Sequence, residues 1–315
     1  MASGKKKTKV ASVRMTWQQA VEQYLLWKKA EGRSGRTIQD YYYHITHFIK
    51  VYPNAGIDDY NALKRDVIAY MAEDAKPAYY NNKLVYLRTF FTWCVNESIM
   101  PDNPIKNFKR RKADSRIVDV KSQNLKKLLG IPDQKTYTGL RDYSLLLLQL
   151  DTGIRPKEAL SLQINDVNIR SLEIYVKAEN AKTKIARTLP VSPITAKAIQ
   201  KLINVRPKDW DAEIPVFCTY EGRKWSVNGW YKQLSSHGNK MGITVFPYQL
   251  RHTFALEFLR NGGNSFALQK TMGHADLNMT KRYVALADDD IKKQHIKASP
   301  VSNLVQPNSR ICKIR

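Results

Sequence analysis

The sequence predicts a mainly α-helical protein with a small antiparallel sheet: a four-helix N-terminal domain, then a mostly helical C-terminal domain. Three observations predict this class. Apolar residues recur at helical spacing through the first hundred residues, where no strand pattern occurs. A basic stretch, residues 106–116, then interrupts the pattern and is predicted to be a linker. Beyond it, helical patterns resume around one pair of alternating segments, residues 172–177 and 185–189.

Four helices are predicted in the first domain, residues 12–105. Thr16, with Gln19 three residues later, has the pattern of a capping box at the start of the first helix. Pro53 is expected to end the second helix. Cys94 lies in the apolar stripe of the fourth helix, which predicts a buried thiol. The predicted helices cover residues 16–31, 34–52, 61–74 and 78–97.

The second domain is predicted to span residues 117–290. Its second helix is rich in leucine, which predicts a buried core helix. Pro156 is suited to a first helical turn. The two alternating segments are expected to pair as antiparallel strands around a polar hairpin loop, residues 178–184. The predicted helices cover residues 123–129, 138–152, 156–162, 195–205, 227–241, 250–261, 265–272 and 279–286.

The charge balance points to a polyanionic partner. Lysine and arginine number 52 against 28 aspartate and glutamate, a formal net charge of +24 in 315 residues. Such an excess repels itself unless an anion neutralises it, so nucleic acid is the leading partner and an anionic membrane surface the second. No apolar run is long enough to span a bilayer. The basic N-terminal arm, residues 1–11, is not followed by the apolar core that a signal peptide has.

The cysteines predict a reducing compartment, the cytoplasm. There are three, widely separated: Cys94, Cys218 and Cys312. An odd number at such spacing signals neither a disulfide framework nor a zinc site. No metal site is predicted elsewhere, and no cofactor is expected.

An arginine, a histidine and a tyrosine follow one another near the C-terminal end: Arg251, His274 and Tyr283. Breaking a phosphodiester without a metal needs cations at the non-bridging oxygens, a nucleophile and a general acid for the leaving oxygen. Arg155 and Arg251 offer bidentate forks, and Lys182 in the hairpin loop offers a proton. Tyr283 offers a nucleophile, and its ordinary pKa of about 10 requires activation, which we assign to the neighbouring cations.

Three boxes in this sequence resemble those of the tyrosine recombinase (phage integrase) family: residues 152–160, 248–255 and 273–283. The resemblance implies that Arg155 is the first catalytic arginine, braced by Glu158. It also implies that Arg251 is the second arginine, His274 the catalytic histidine and Tyr283 the nucleophile.

The resemblance implies two further catalytic positions. The hairpin lysine of the family corresponds to Lys182, with Lys177 and Lys184 as alternatives in the same hairpin. Tyr248 stands where the family usually has histidine and is included among the catalytic residues. A phenol donates a hydrogen bond to a phosphate oxygen, but it cannot serve as an imidazolium.

The resemblance implies a site-specific DNA recombinase, an integrase of mobile-element type. Its first domain would be a core-binding domain, with candidate phosphate contacts at Arg33, Arg36, Lys83 and Arg88. DNA strands would be cut and rejoined through a 3′-phosphotyrosine at Tyr283, without metal or ATP. Four protomers would hold two double-stranded DNA sites and exchange strands through a Holliday junction, with accessory DNA-bending or directionality proteins as possible partners.

Three questions stay open at this point. The C-terminal tail, residues 291–315, would either dock on a neighbouring protomer or pack on its own chain. A type IB topoisomerase-like enzyme, which shares the chemistry, is one alternative function. A non-catalytic DNA-binding protein on the same fold is the other, and the presence of all five residues of the predicted active site argues against it.

Overall fold

A computed structural model of the chain describes residues 15–53, 59–113, 119–274, 276–287, 295 and 299–304. The predicted arm lies outside these residues, as does most of the predicted tail. The described residues form helices and one three-stranded antiparallel sheet, so the predicted fold class is confirmed. They group into two compact units divided near residue 115.

The first unit contains four helices, as predicted, with their ends shifted by one or two residues. A capping box starts α1: the Gln19 amide donates to Thr16 Oγ1 at 3.3 Å, and the Thr16 amide donates to Gln19 Oε1 at 2.9 Å. Ser34 caps α2 through the Thr37 amide at 3.3 Å. The helices are α1 Trp17–Ala30, α2 Gly35–Val51, α3 Tyr60–Ala72 and α4 Pro77–Asn96.

Aromatic rings fill the core of this unit. Tyr24 of α1 meets Phe90 of α4 edge-on, with ring centroids 5.2 Å apart, and Phe48 of α2 meets Tyr70 of α3 at 5.4 Å. Aromatic pairs prefer such edge-on geometry, which stabilises the core beyond the burial of their large apolar area. The predicted buried thiol is confirmed: Cys94 is fully buried, and burial raises its pKa to about 12.

The second unit contains the remaining elements. Its helices of at least eight residues are α5 Ser122–Leu129, α6 Tyr137–Thr152, α8 Pro193–Asn204, α9 Val227–Asn239, α10 Pro247–Arg260, α11 Ser265–Met272 and α12 Leu277–Ala287. Between α6 and α8 lie α7 Pro156–Ala159 and three strands, β1 Val167–Asn168, β2 Glu173–Val176 and β3 Arg187–Pro190. A four-residue helix, Val301–Leu304, follows near the end.

Two predictions need correction here. The helix predicted at 156–162 ends at Ala159, because Leu160 and Leu162 leave the helix to join the core. The return strand begins at Arg187 rather than at residue 185, since Ile185 is exposed in the hairpin loop. The two-residue strand β1 was not predicted, since it is too short to show alternation. The sheet order is β1-β2-β3, with Ile174 opposite Leu189.

The core of the second unit forms around α6, whose predicted burial is confirmed. Leu145, Leu146 and Leu148 are fully buried, and α6 packs against α8 and α10. A smaller apolar cluster joins α10, α11 and α12, which brings the C-terminal boxes of the sequence together. Among the described residues, none of the helices has the length and apolarity needed to cross a membrane.

Candidate active site

Two arginines bind one buried carboxylate. Glu158 of α7 accepts hydrogen bonds from Arg155 Nη1 at 3.0 Å and from Arg187 Nη2 at 2.6 Å. Burial raises the pKa of this carboxyl, but Arg187 and Arg155 outweigh burial and hold it below its ordinary value. Glu158 therefore braces Arg155, as predicted, and also Arg187, which sequence reasoning did not assign.

The end of α11 holds three guanidinium groups, which we call the arginine cluster: Arg155, Arg187 and Arg251. Three successive carbonyls accept from them. Thr271 O accepts from Arg187 at 3.0 Å, Met272 O from Arg251 at 2.8 Å, and Gly273 O from Arg155 at 3.0 Å. The last carbonyls of a helix lack helical partners and carry partial negative charge, so this end of α11 favours cations.

Two glycines in the left-handed region make these contacts possible. Gly153 ends α6 with φ 61°, and its carbonyl accepts a hydrogen bond from Arg251 Nη1. A Cβ at Gly153 would lie 2.3 Å from the Phe254 ring, which excludes any other residue without rearrangement. Gly273 ends α11 with φ 61°, and a Cβ there would lie 3.2 Å from the Arg187 guanidinium.

The arginine cluster carries more positive charge than its single carboxylate neutralises. Arg251 is buried and donates to two backbone carbonyls, and among the described residues it makes no ion pair with a carboxylate. Burial, together with Arg155, lowers its pKa to about 9, so it remains a cation near neutral pH. A buried group of like charges of this kind is stabilised by an anion with several acceptor oxygens, such as a phosphate.

His274 and Tyr283 lie beside this cluster with their rings stacked, 6.2 Å between centroids and 7° between planes. His274 Nδ1 is 2.9 Å from the hydroxyl of Thr280, which is fully buried. Burial and the three arginines lower the pKa of His274 to about 4, so it is neutral near pH 7. The predicted residues Arg155, Arg251, His274 and Tyr283 are thus brought together.

Tyr283 makes a contact that sequence reasoning missed. Its hydroxyl lies 2.6 Å from His252 Nδ1, and the side chain is 5% exposed. Burial raises the pKa of Tyr283 and outweighs the opposing effect of Arg251. Arg251, Arg282 and Arg155 act on this phenol in the direction that we expected from the sequence, but burial has the larger effect on its pKa. The position of His252 directly after Arg251 in the second box was the sequence signal that could have identified it.

Lys182 is not brought to the arginine cluster. It lies exposed in the hairpin loop, and no hydrogen bond or ion pair engages it within the described part of the chain. The two alternatives are engaged: Lys177 lies 3.4 Å from Asp166 Oδ1, and Lys184 donates to Glu179 O at 3.3 Å. Of the three lysines, Lys182 keeps its ammonium available for a ligand.

Tyr248 lies in the first turn of α10, one helical turn before Arg251, and is 57% exposed. The described residues provide no hydrogen bond to its hydroxyl. Its side chain is therefore open to solvent and orients no buried group, and its role as a catalytic residue stays a prediction.

The candidate phosphate contacts of the first unit divide into two pairs. Arg33 and Arg36 are exposed. Arg33, between α1 and α2, lies 3.3 Å from Glu31, and Arg36 of α2 lies 3.2 Å from Asp40 of the same helix. Surface pairs of this kind are weak and exchange readily for a phosphate. Both positions are compatible with the prediction.

Lys83 is buried, which argues against its prediction as a phosphate contact, whereas Arg88 is partly buried and its prediction as such a contact stays a prediction. Lys83 is 3% exposed, bonds Glu73 at 2.8 Å, and lies 3.7 Å from the centroid of the Tyr70 ring. Arg88 donates to the carbonyls of Ile105 and Phe108, which fastens α4 to the segment that follows it. Both cations serve the packing of the unit.

Comparison with known proteins yields one family over most of the second unit. The model of the phage integrase family matches residues 119–290, which contain every residue of the candidate active site.

Curated relatives match over most of their length. The tyrosine recombinase XerC of Serratia marcescens is 25% identical over 294 residues, 90% of this chain and 95% of that protein. The tyrosine recombinase XerD of Listeria monocytogenes is 28% identical over 265 residues, 80% of this chain and 88% of that protein.

Solved structures share the fold at lower identity. The Tn1549 transposon integrase in complex with transposon right end DNA has a TM-score of 0.70 and 16% identity, covering 91% of this chain and all of that one. A lambda integrase tetramer bound to a Holliday junction has a TM-score of 0.70 and 14% identity, covering 89% of this chain and 82% of that one.

Proposed function

Because this chain belongs to the phage integrase family and is a tyrosine-type site-specific recombinase, we propose that it cuts and rejoins DNA through a covalent bond between Tyr283 and a 3′ phosphate. One observation carries the proposal most directly. The guanidinium groups of Arg155 and Arg251 converge on the end of α11, beside the stacked rings of His274 and Tyr283.

Each residue has a role in the proposed cleavage. Arg155 and Arg251 neutralise the non-bridging oxygens, and His274 donates a hydrogen bond to one of them. The Tyr283 oxygen bonds to phosphorus while the bond to the 5′ oxygen breaks, and Lys182 protonates that oxygen. Tyr248 adds a hydrogen bond from its phenol.

The second step reverses the first with a different strand. The 5′ hydroxyl of a partner strand attacks the phosphotyrosine, which releases Tyr283 and reseals the DNA. The covalent bond conserves the energy of the phosphodiester, so the cycle requires no ATP. The arginine cluster supplies the positive charge that a metal ion supplies in other phosphoryl-transfer sites.

The assembly that we propose follows the solved relatives. A lambda integrase tetramer is bound to a Holliday junction, and the Tn1549 integrase is bound to transposon end DNA. We propose that four copies of this chain hold two double-stranded DNA sites in the cytoplasm, with accessory DNA-bending or directionality proteins where the job requires them. Residues 12–105 would bind core DNA, residues 117–290 would catalyse, residues 106–116 would link them, and residues 291–315 would form the tail.

Covalent capture tests the proposal. The probe is a library of duplexes with randomised sequence, each nicked so that the short strand beyond the cut diffuses away and traps the adduct. We expect denaturant-resistant protein–DNA adducts in EDTA without ATP, and none with Tyr283→Phe, whose DNA binding stays near that of the parent. Adducts that persist in the Tyr283→Phe variant, or that vanish on chelation, would contradict it.

A further inference from the structure

The contact between His252 and Tyr283 extends the proposed function, on which the following inference rests. We infer that His252 is the base that takes the phenolic proton of Tyr283 during DNA cleavage and returns it during rejoining. Neither the resemblance nor the family comparison assigned a role to this histidine.

The geometry carries the inference. His252 Nδ1 lies 2.6 Å from the Tyr283 hydroxyl, within the reach that proton transfer requires. The two ring centroids are 5.7 Å apart and the ring planes are tilted by 41°, so the rings are not stacked. α10 packs against α12, which holds the two side chains together.

Tyr283 needs a base because burial raises its pKa and keeps the phenol protonated. Burial is the largest influence on this phenol and raises its pKa despite Arg251, Arg282 and Arg155. A phenol that is protonated near neutral pH is a poor nucleophile, so the proton must leave as the bond to phosphorus forms.

His252 is in the right state to accept that proton. Burial, Arg251 and Arg282 lower its pKa, so the imidazole is neutral near pH 7. Its charged and titratable neighbours are these two arginines, Tyr283 and His274, and no carboxylate among the described residues is paired with it. In the neutral tautomer with its proton on Nε2, the imidazole accepts at Nδ1 from the Tyr283 hydroxyl.

The other candidates are less suited. His274 presents its ring face to Tyr283, 7° from parallel, and its Nδ1 is engaged by Thr280. Tyr248, at the position where the family usually has histidine, is a phenol and has no basic nitrogen. His252, four residues later and one turn further along α10, supplies the base that Tyr248 does not.

The cleavage step then balances. The bond from the Tyr283 oxygen to phosphorus forms, and the phenolic proton passes to His252 Nδ1. The bond from phosphorus to the 5′ oxygen breaks, and that oxygen takes a proton from Lys182. In rejoining, the attacking 5′ hydroxyl bonds to phosphorus and returns its proton to the neutral amine of Lys182. The bond from phosphorus to the Tyr283 oxygen breaks, and that oxygen takes its proton back from the imidazolium of His252, so no external acid or base is consumed.

The chain contains a matched control for this contact. In the first unit His47 Nδ1 lies 2.7 Å from the Tyr70 hydroxyl, with rings 5.8 Å apart and tilted by 46°. The atoms and geometry are nearly those of His252 and Tyr283, but this pair lies in the other unit and has no role in the proposed chemistry. His47→Gln therefore measures the structural cost of losing such a contact.

The test compares His252→Gln and His47→Gln on a suicide duplex recovered by the capture experiment. Glutamine accepts the phenolic hydrogen bond but does not take the proton. We expect adduct formation to slow by roughly 10²- to 10⁴-fold in His252→Gln, the range of general-base catalysis, and by less than about twofold in His47→Gln. Thermal unfolding and DNA binding by each variant check the fold.

A second substrate separates the base from the acid. In it, sulfur replaces the leaving 5′ oxygen, and a thiolate leaves without a proton. We expect this substrate to restore cleavage by Lys182→Ala but not by His252→Gln, because Tyr283 must still lose its own proton. Should His252→Gln not fold, His252→Ala replaces it, and its cleavage rate should rise with added imidazole.

The outcomes distinguish the inference from the proposed function. Three results would show that His252 is not the base. They are cleavage by His252→Gln at the parent rate, rescue of that variant by the sulfur substrate, and failure of imidazole to accelerate His252→Ala. A faster His252→Gln would mean that the contact holds Tyr283 away from DNA, which also overturns the inference. Absence of adducts with the parent itself overturns the proposed function.

Discussion

Both units of this protein bury cations, but they neutralise them differently. In the first unit Lys28 and Lys83 each meet a carboxylate, Glu31 at 3.0 Å and Glu73 at 2.8 Å, and each lies over an aromatic ring. In the second unit Arg155 and Arg187 share Glu158, and the nearby buried Arg251 has no carboxylate partner among the described residues. The first arrangement is complete in itself. The second retains positive charge inside the fold, which costs stability and is useful only where an anion binds.

The second unit also contains an arginine of the complete kind. Arg141 is buried, bonds Asp142 at 2.8 Å and lies 3.6 Å from the Trp225 ring. In the way its charge is neutralised, Arg141 therefore resembles the lysines of the first unit and differs from the three arginines of the arginine cluster. The contrast depends on how each cation is neutralised and not on the unit in which it is found.

The largest expected effect is on activity. Arg251→Gln should reduce adduct formation by about 10³-fold, as removal of a preorganised donor does, while the free energy of unfolding changes by less than about 1 kcal/mol. The lost hydrogen bonds are offset by the removal of an uncompensated buried cation. Capture kinetics and denaturant unfolding measure the two quantities.

Arg141→Gln is the matched control. It removes the arginine partner of the buried Asp142, which among the described residues keeps only its contact with His237 Nε2 at 3.0 Å, so we expect a loss of about 3 kcal/mol in stability and unchanged adduct formation by the folded fraction. The comparison fails if Arg251→Gln destabilises the protein as much as Arg141→Gln does.

Glu158→Gln tests the single carboxylate of the cluster. Without it the arginines keep their bonds to the carbonyls of α11 but have no negative charge between them, so we expect a loss of about 3 to 5 kcal/mol in stability. Sulfate should raise the thermal midpoint of this variant more than that of the parent, since the anion replaces the missing charge. Equal sulfate effects would show that the cluster does not bind anions.

Acid unfolding provides a related measurement. The arginines hold the pKa of Glu158 below its ordinary value, so its contribution to stability is present at neutral pH and is lost as the pH falls below that value. We expect the stability of Glu158→Gln to depend less on pH in that acidic range than the parent's does. Parallel pH profiles of the two proteins would contradict this.

A smaller effect is expected for Lys83→Met in the first unit. The variant loses the contact with the Tyr70 ring and the bond to Glu73, which is partly exposed, so we expect a loss of about 1 to 2 kcal/mol. DNA affinity and its salt dependence should not change. A weaker salt dependence of binding would restore Lys83 as a phosphate contact.

The smallest effect is expected for Arg36→Gln, whose side chain is exposed. If it contacts a phosphate, the slope of log affinity against log salt should fall by about 1, with cleavage by the bound complex unchanged. Binding isotherms at several salt concentrations measure the slope. An unchanged slope would leave Arg36 a solvated surface residue.

Much of the active site could be predicted from local sequence boxes. Arg155, Arg251, His274 and Tyr283 each lie in a compact motif with a characteristic neighbourhood. Arg187 could not be found in this way, because its partner Glu158 is 29 residues away and only the pairing of β2 with β3 brings it near. His252 was visible beside Arg251, but its contact with Tyr283 depends on how α10 packs against α12.

The fold, like the active site, was predictable where the signal was local in sequence. Helical spacing and caps placed the four helices of the first unit, whereas the two-residue strand β1 left no pattern. Lys83 was judged by its charge alone. Its spacing from Tyr80 and Leu87, three residues before and four after, places it on the buried face of α4 and was the signal that it points inward.

The central claim is that the arginine cluster and its stacked rings serve covalent attack by Tyr283. The most direct measurement is mass spectrometry of the captured adduct after digestion by protease and nuclease. We expect one peptide containing Tyr283 to carry a nucleotide joined through its 3′ phosphate. A nucleotide on any other residue, or one joined through a 5′ phosphate, would contradict the claim.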